Sequence, residues 1–466
     1  MLSMQVMPIA IYLIPSLSSY YRGLGLAHHY IFKVRASTQA LVRSMSIVTI
    51  TKSPSVCVKP SEPITEGDGY INLLSTYDKP YIGHPVTVLI VFDKPIDDPA
   101  ETIKRGLSQA LVHYYPMSGR LAARTTGNDV VVECSGKGVS FVTASADSAL
   151  KDVQELHDPS LKEELAIFYP ARVPGCHDDP LLLMQVTVFS CGGFIIGLTW
   201  DHSIADGTGI GQFMQAVGEL ARGLLSPSVV PVRSDESLIG MPTTAQRIYP
   251  LLRSLQPSPL VLLDISVPSS TINRIKNDFS INASQTCSVF EAVTAMLWQC
   301  RTRAIIEDPE VPTVLMFGAN ARKYAGAKDG YYGNCVTGLV VTTTCGTVAN
   351  TGIMDLIRMI QSAKDEIPNQ YSNVVEGNGN MQESDVTSVL GYNVFGVTSW
   401  RNIGLEKADF GGGTPSRVIT YGKIRMGLPF CVSCLPVRND EFFSVMSLCV
   451  KEEHVGAFLG GITHFT

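Results

Sequence analysis

The chain has 466 residues, 45% of them apolar and only 17% charged, which excludes a disordered chain and a disulfide miniprotein and leaves room for two cores. A net charge of −6 provides no basic face, so no nucleic acid is expected as a partner. The eleven cysteines are odd in number and scattered, which points to free thiols in a reducing, cytoplasmic compartment.

Residues 1–44 differ from the rest. They carry four basic residues (Arg22, Lys33, Arg35, Arg43), and the first acidic residue of the chain is Glu62, so residues 45–466 alone carry −10. The apolar run Gln5–Leu17 is too short to span a bilayer, contains Pro8 and Pro15, and has no basic residue before it. No membrane span or secretory signal is expected. The segment reads as a transit-like leader or as an extension ahead of a start at Met45, and the second reading is preferred.

From Met45 onward, strand-like and helix-like runs alternate. Val86–Phe92 predicts a strand, and Ile103–Tyr115 a helix with Ile103, Leu107, Ala110 and Leu111 on one face. Asn128–Glu133 and Val139–Thr143 predict further strands. Leu181–Phe189 and Phe194–Trp200 predict a strand pair turned by Cys191-Gly192-Gly193, followed by a helix through Ile210, Phe213, Met214, Val217 and Leu220 that ends at Gly223. Residues 45–223 thus form a first lobe.

Residues 224–265 carry Pro227, Pro231, Pro242, Pro250, Pro257 and Pro259, which discourage both helix and central strand and predict a long connector. The second lobe, 266–466, opens with a helix capped by Ser288 and Glu291, whose apolar face is Phe290, Val293, Leu297 and Trp298. Strands near Val314–Gly318 and Val336–Thr344, a helix near Met354–Lys364, and strands near Arg417–Val437 and Glu441–Val450 complete it. The pattern is α/β, in two similar lobes with a cleft between them. Cys431-Val-Ser-Cys434 is the only CxxC and lies in a strand-like run, where positions three apart face opposite ways, so no metal site is expected.

Leu198-Thr-Trp-Asp-His202-Ser-Ile-Ala-Asp206-Gly207 places a His at a strand end and an Asp four residues on, before a helix. A half-buried His beside a helix-capping Asp and a general base facing a cleft both fit that spacing. Gly207-Thr-Gly209-Ile-Gly211 opens the helix like a dinucleotide loop, but Gln212 occupies the third glycine position. Neither GxxxxGK[ST] nor GxSxG occurs, so a His without an evident nucleophile points to direct base catalysis.

His202-Ser-Ile-Ala-Asp206-Gly207 resembles the HxxxDG motif of the plant BAHD acyl-CoA-dependent acyltransferases, and Asp409-Phe410-Gly411-Gly412-Gly413 resembles that family's DFGWG motif. Tyr114–Leu121, Asn320-Ala-Arg322, Tyr331–Asn334 and Thr398-Ser-Trp400 resemble the family as well, and the similarity runs from about Met45 to the end. The resemblance implies two lobes of mixed sheet and helices like those of chloramphenicol acetyltransferase, joined by a crossover connector with a channel between them. It implies a monomer that binds no cofactor and takes acyl-CoA as co-substrate, with a small-molecule alcohol or amine as acceptor. His202 would be the base, Trp400 an indole donor to the oxyanion, and Thr398 part of the acceptor pocket. Asp206 would pair with an arginine, for which Arg322 is the candidate, and hold the loop with Gly207.

Asp409 is a catalytic candidate by motif, although its surroundings, Phe410, Gly411 and Gly413, resemble a structural loop on the CoA side. Arg301, Arg303 and Lys323 are candidates for the CoA phosphates. Two departures stand out: Gly412 replaces the motif Trp, which predicts a more mobile loop, and Asp201 stands where a second His is usual. The resemblance favours an aromatic acyl donor, benzoyl or hydroxycinnamoyl, over acetyl.

Overall fold

The computed structural model describes residues 48–63, 71–123, 129–153, 159–170, 178–242, 245–246, 259–376, 391–421, 428–434 and 441–465. The extension 1–44, Asn128 and residues 435–437 of the expected strand lie outside them. The first half runs β1 (Ile50–Lys52), β2 (Val56–Val58), β3 (Ile71–Leu73), β4 (Pro85–Phe92), α1 (Pro99–His113), β5 (Arg120–Ala123), β6 (Val130–Glu133) and β7 (Val139–Ala146). Short helices α2 (Leu150–Val153) and α3 (Pro159–Glu164) lead to β8 (Leu182–Phe189), β9 (Phe194–Asp201) and α4 (Gly207–Ala221). The second half runs β10 (Leu263–Pro268), α5 (Ser269–Ala283), α6 (Val289–Ile305), β11 (Pro312–Asn320), β12 (Val336–Thr344), α7 (Cys345–Asn350), α8 (Ile353–Asp365) and α9 (Ile367–Glu376). β13 (Val394–Ser399), β14 (Arg417–Tyr421), β15 (Phe430–Cys434), β16 (Phe442–Leu448) and α10 (Val455–Phe465) close the chain.

Two mixed sheets organise the lobes. The first has the order β1-β7-β8-β9-β4-β14, with β2 on β7, and the second β10-β16-β15-β13-β11-β12; β3, β6 and β5 form a small third sheet. β9 is buried at every position because both faces of its sheet are covered, which is why it reads as a continuous apolar run. On one face, α1 and α4 seat Ile103, Leu107, Phe213 and Val217 against Val88 and Leu198. In the second lobe α6 is the central core helix, burying Val293, Leu297 and Trp298, with the Ser288–Glu291 capping box formed at its start.

One expected assignment is corrected. The stretch 417–437 is not one strand region of the second lobe, because β14 pairs antiparallel with β4 of the first sheet, Arg417 opposite Val91, while β15 pairs with β13 and β16 of the second. The edge of β4 would otherwise be left unpaired, and chain from the second half covers it. Residues 266–466 therefore do not stay within one lobe.

The ten described cysteines are all free, and both Cys431 and Cys434 are buried. Among the described residues there is no group of three metal-ligating side chains, and no helix is long and apolar enough to cross a membrane.

Candidate active site at the junction of the lobes

β9 ends at Asp201, and His202 opens the turn that leads into α4. The turn is fixed from within and from both sides. Its backbone N–H donates to the His84 carbonyl at 2.7 Å, and the Trp200 indole closes it by donating to the Ala205 carbonyl at 3.0 Å. The imidazole is half-buried, stacked on Tyr81 with ring centroids 4.2 Å apart and planes 21° from parallel. Its Nδ1 is buried without an aligned hydrogen bond. Burial lowers the His202 pKa from its ordinary value, against the opposing pull of its own carbonyl, Asp206, Asn334 and Asp201.

Asp206 caps α4, its Oδ1 accepting from the Gly209 N–H at 2.9 Å. The same carboxylate receives both terminal nitrogens of Arg322, Nη1 to Oδ2 at 3.0 Å and Nη2 to Oδ1 at 2.9 Å, and the Cys335 N–H at 3.0 Å. Arg322 also donates to the carbonyls of Tyr331 and Gly333, at 3.0 and 2.7 Å, and more distantly to the Asn320 Oδ1 at 3.4 Å. This bidentate pair ties the His turn of the first lobe to the β11–β12 connection of the second. The glycines around it have a packing reason: a Cβ at Gly209 would land on the Tyr332 carbonyl and one at Gly211 on the Ile403 carbonyl, while one at Gly207 would meet Ile403 Cδ1 at 3.2 Å. Backbone from the second half lies directly against this end of α4.

Trp400 follows β13 and is half-buried, its backbone N–H donating to the Ser433 carbonyl at 2.8 Å. Its ring lies 6.2 Å from Trp200, whose ring lies 6.3 Å from His202, so the three aromatic rings form one run across the lobe junction. Thr398, half-buried two residues earlier, sits in β13 opposite Val432 of β15.

Asp409 is elsewhere, which corrects its place among the catalytic candidates. It packs beside the far end of α4, where Arg222 donates to its carbonyl and Arg222 Nη1 lies 3.6 Å from its Oδ2. Fifteen residues of helix separate that end from the His turn, roughly 22 Å at 1.5 Å per residue. The Asp409 Oδ1 accepts from Gly411 and Gly413 N–H, each at 2.8 Å, and both glycines have positive φ, +112° and +99°. Phe410 anchors the loop in the first core, edge-on to Phe92 at 5.4 Å. Gly412 is packed, since a Cβ there would sit 3.0 Å from Ile96 Cγ2 and 3.2 Å from the Lys94 carbonyl. The three glycines thus form a hydrogen-bonded loop.

Arg301 also departs from expectation as a CoA ligand. It is wholly buried, donating to the Cys449 and Tyr392 carbonyls beneath the Tyr392 and Phe395 rings, so no phosphate can meet it without opening the lobe. Arg303 is exposed and caps the Ala349 carbonyl at 2.8 Å, and Lys323 is exposed next to Arg322. The three are not brought together.

Three residues at the site had no role assigned from sequence, Asp201 having stood out only as a departure from the motif. Tyr81 lies in a short turn of 3-10 helix before β4, and nothing in its neighbourhood signals a ring stack. Asn334 donates from Nδ2 to the His202 carbonyl at 2.8 Å. Asp201 is fully buried: its Oδ1 accepts from the N–H and hydroxyl of Ser203 at 3.1 and 2.6 Å, and its Oδ2 from the Gly83 N–H at 3.1 Å.

Comparisons with known proteins bear on the family and the fold. The sequence profile of the Transferase family matches residues 47–458. Acyl transferase 15 of Oryza sativa subsp. japonica is 44% identical over 434 residues, 89% of this chain and 98% of the relative. Myricetin 3-O-glucosyl 1,2-rhamnoside 6'-O-caffeoyltransferase AT1 of Crocosmia x crocosmiiflora is 33% identical, covering 90% and 99%. 3'-N-debenzoyl-2'-deoxytaxol N-benzoyltransferase of Taxus canadensis is 30% identical, covering 79% and 89%. Among solved structures, vinorine synthase superposes with a TM-score of 0.67 at 19% identity, over 88% of this chain and 96% of that one. The F. sporotrichioides TRI101 complex with coenzyme A and T-2 gives 0.62 at 15% identity, over 84% and 97%.

Proposed function

Since the chain belongs to the Transferase family of plant BAHD acyltransferases, and is therefore an acyltransferase, we propose that it moves an aromatic acyl group from a CoA thioester to the hydroxyl or amine of a small plant metabolite. His202 is the general base. The observation that carries this reading is its position: the imidazole stands at the end of β9, where the two lobes meet, on a turn pinned by the Asp206–Arg322 pair.

The enclosed Nδ1 leaves Nε2 as the nitrogen for the acceptor. A neutral ring takes the proton from the acceptor O–H or N–H as that atom bonds to the thioester carbonyl carbon. The carbonyl oxygen becomes an oxyanion, for which the Trp400 indole N–H is the donor. Collapse of this intermediate breaks the C–S bond, and the thiolate of CoA leaves with the proton that His202 returns. Thr398, two residues before Trp400, lines the acceptor side, and Lys323 and Arg303 are the remaining candidates for the CoA phosphates. Asp206, Gly207 and Arg322 hold the base, and Phe410, Gly411, Gly413 and Asp409 hold the loop at the far end of α4.

The caffeoyl- and N-benzoyltransferase names of two relatives support an aromatic donor. The enzyme works as a cytoplasmic monomer in this reading. The test is a screen of acetyl-, benzoyl-, coumaroyl- and feruloyl-CoA against alcohols and aryl-alkyl amines, read as free thiol released. Aromatic thioesters should turn over fastest, and His202→Ala should lower kcat by about 10²–10⁴-fold. Turnover undiminished in His202→Ala would refute the mechanism, and a preference for acetyl-CoA would refute the donor.

A further inference from the structure

A second buried ion pair lies against the catalytic turn, and the chemistry just described makes no use of it. Asp78 is fully buried and Arg233 is 7% exposed; Arg233 Nη2 donates to Asp78 Oδ2 at 2.9 Å. Asp78 comes from the turn ahead of β4, Arg233 from the connector between the lobes, and they meet a third segment at Asn334. The other Asp78 oxygen, Oδ1, accepts from the Asn334 N–H at 3.2 Å and from its Nδ2 at 2.8 Å. Ser75 adds its N–H and hydroxyl to Oδ2, at 2.9 and 2.8 Å.

This cluster touches the catalytic turn at consecutive carbonyls. Asn334 Nδ2 donates to the His202 carbonyl at 2.8 Å, and Arg233 Nη2 reaches the Ser203 carbonyl at 3.4 Å. Both known partners of Nδ2 are acceptors, a carboxylate and a carbonyl, so the amide cannot be flipped without setting oxygen against oxygen. The carboxylate receives five donations from three chain segments and has no freedom left to shift.

Stability alone gives no reason for such a pair. Taking two charges out of water costs as much as their attraction returns, and apolar side chains of similar volume commonly serve a core as well or better. What apolar groups cannot do is aim an amide at a carbonyl. We propose that Asp78, Arg233 and Asn334 are positioning residues for His202: the ion pair fixes Asn334, and Asn334 fixes the backbone that carries the imidazole. Asp206–Arg322 grips the same turn four residues later, so the two pairs hold it at both ends. The inference rests on His202 being the base.

The test separates positioning from folding. Asp78→Leu or Arg233→Met alone leaves an uncompensated buried charge and should lower Tm sharply; the Asp78→Leu/Arg233→Met double variant should recover most of that Tm. Its kcat should nonetheless stay roughly 10–100-fold below wild type, with KM for acyl-CoA and acceptor within about twofold, as expected when a reacting group is misplaced by a fraction of an ångström to an ångström. Asn334→Ala, which leaves the ion pair intact, should show the same kcat loss with KM preserved, and this variant decides the matter if the double variant does not fold. Wild-type kcat in Asn334→Ala, or recovery of both Tm and kcat in the double variant, overturns the proposal. His202→Ala assayed alongside distinguishes the two failures: if it is inactive while Asn334→Ala is fully active, only the positioning role falls, and if it is active the base assignment itself is wrong.

Discussion

Burial and nearby negative charge pull the His202 imidazole in opposite directions, and burial prevails. A base whose folded pKa lies below its unfolded value of about 6.5 stays neutral through the physiological range and on into mild acid. The sign for stability follows: between the folded and unfolded values the unfolded chain binds the proton that the folded one refuses, so stability is lost as pH falls below about 6.5. The carboxylates of Asp201 and Asp206 and the side chain of Asn334 resist that lowering. Asp201→Asn removes the charge and keeps a single acceptor oxygen, enough for Ser203 or for Gly83 but not for both; with the charge gone, the acid limb of the kcat/KM profile should move to lower pH. A limb that stays at the wild-type pH would show that the Asp201 charge does not reach the ring. Neighbouring side chains at a strand end point to opposite faces, and the Asp201 side chain turns to Ser203 and Gly83. No local pattern could reveal that Gly83, more than a hundred residues earlier, is the other partner.

At the scale of elements, α4 has an excess of glycine that helix propensity cannot justify. Replacing a helical glycine by alanine normally stabilises by about 1 kcal/mol. Here the added Cβ would meet the Tyr332 carbonyl at Gly209, the Ile403 carbonyl at Gly211 and the Asp409 carbonyl at Gly218. Gly211→Ala is therefore expected to destabilise, by roughly 1–3 kcal/mol, because backbone, unlike a side chain, cannot rotate away. Urea unfolding measures it, and a gain in stability would show that the Ile403 segment yields. The sequence raised this glycine run only as an imperfect dinucleotide loop, since glycine spacing reports a close approach without naming what approaches. The amphipathic helices were legible because one-sided burial imposes a period, and β4, β8 and β9 as apolar runs because both faces of their sheet are covered. The destination of β14 was not: Arg417–Tyr421 and Phe430–Cys434 both read as short, mostly apolar strands, and which sheet takes each depends on which edge is vacant.

At the scale of the whole molecule, the two lobes are distinct sheets but not independent ones. The first sheet is completed by a strand from residue 417 onward, and its core includes Phe410 and Leu405 from the same return segment. Residues 45–265 expressed alone should therefore leave the β4 edge bare and aggregate, and co-expression with residues 266–466 should restore solubility. A soluble, cooperatively unfolding 45–265 fragment would contradict this. Length and the proline-rich connector made two lobes legible, yet a connector marks only where the chain leaves a lobe. The HxxxDG turn was legible as a motif, but the groups that hold it were split between motif residues, Asp206 and Arg322, and residues with no motif at all, Asp78 and Arg233.

The returning β14 also limits how such a protein can be recombined. Exchanging first lobes between relatives at the connector would pair β4 of one parent with β14 of the other, and would split Arg222 from the Asp409 loop it contacts. The heritable unit that carries the first lobe is discontinuous: it consists of the chain up to the connector together with a short insert from about Leu405 to Tyr421. A productive chimera has two additional crossovers, one on each side of that insert.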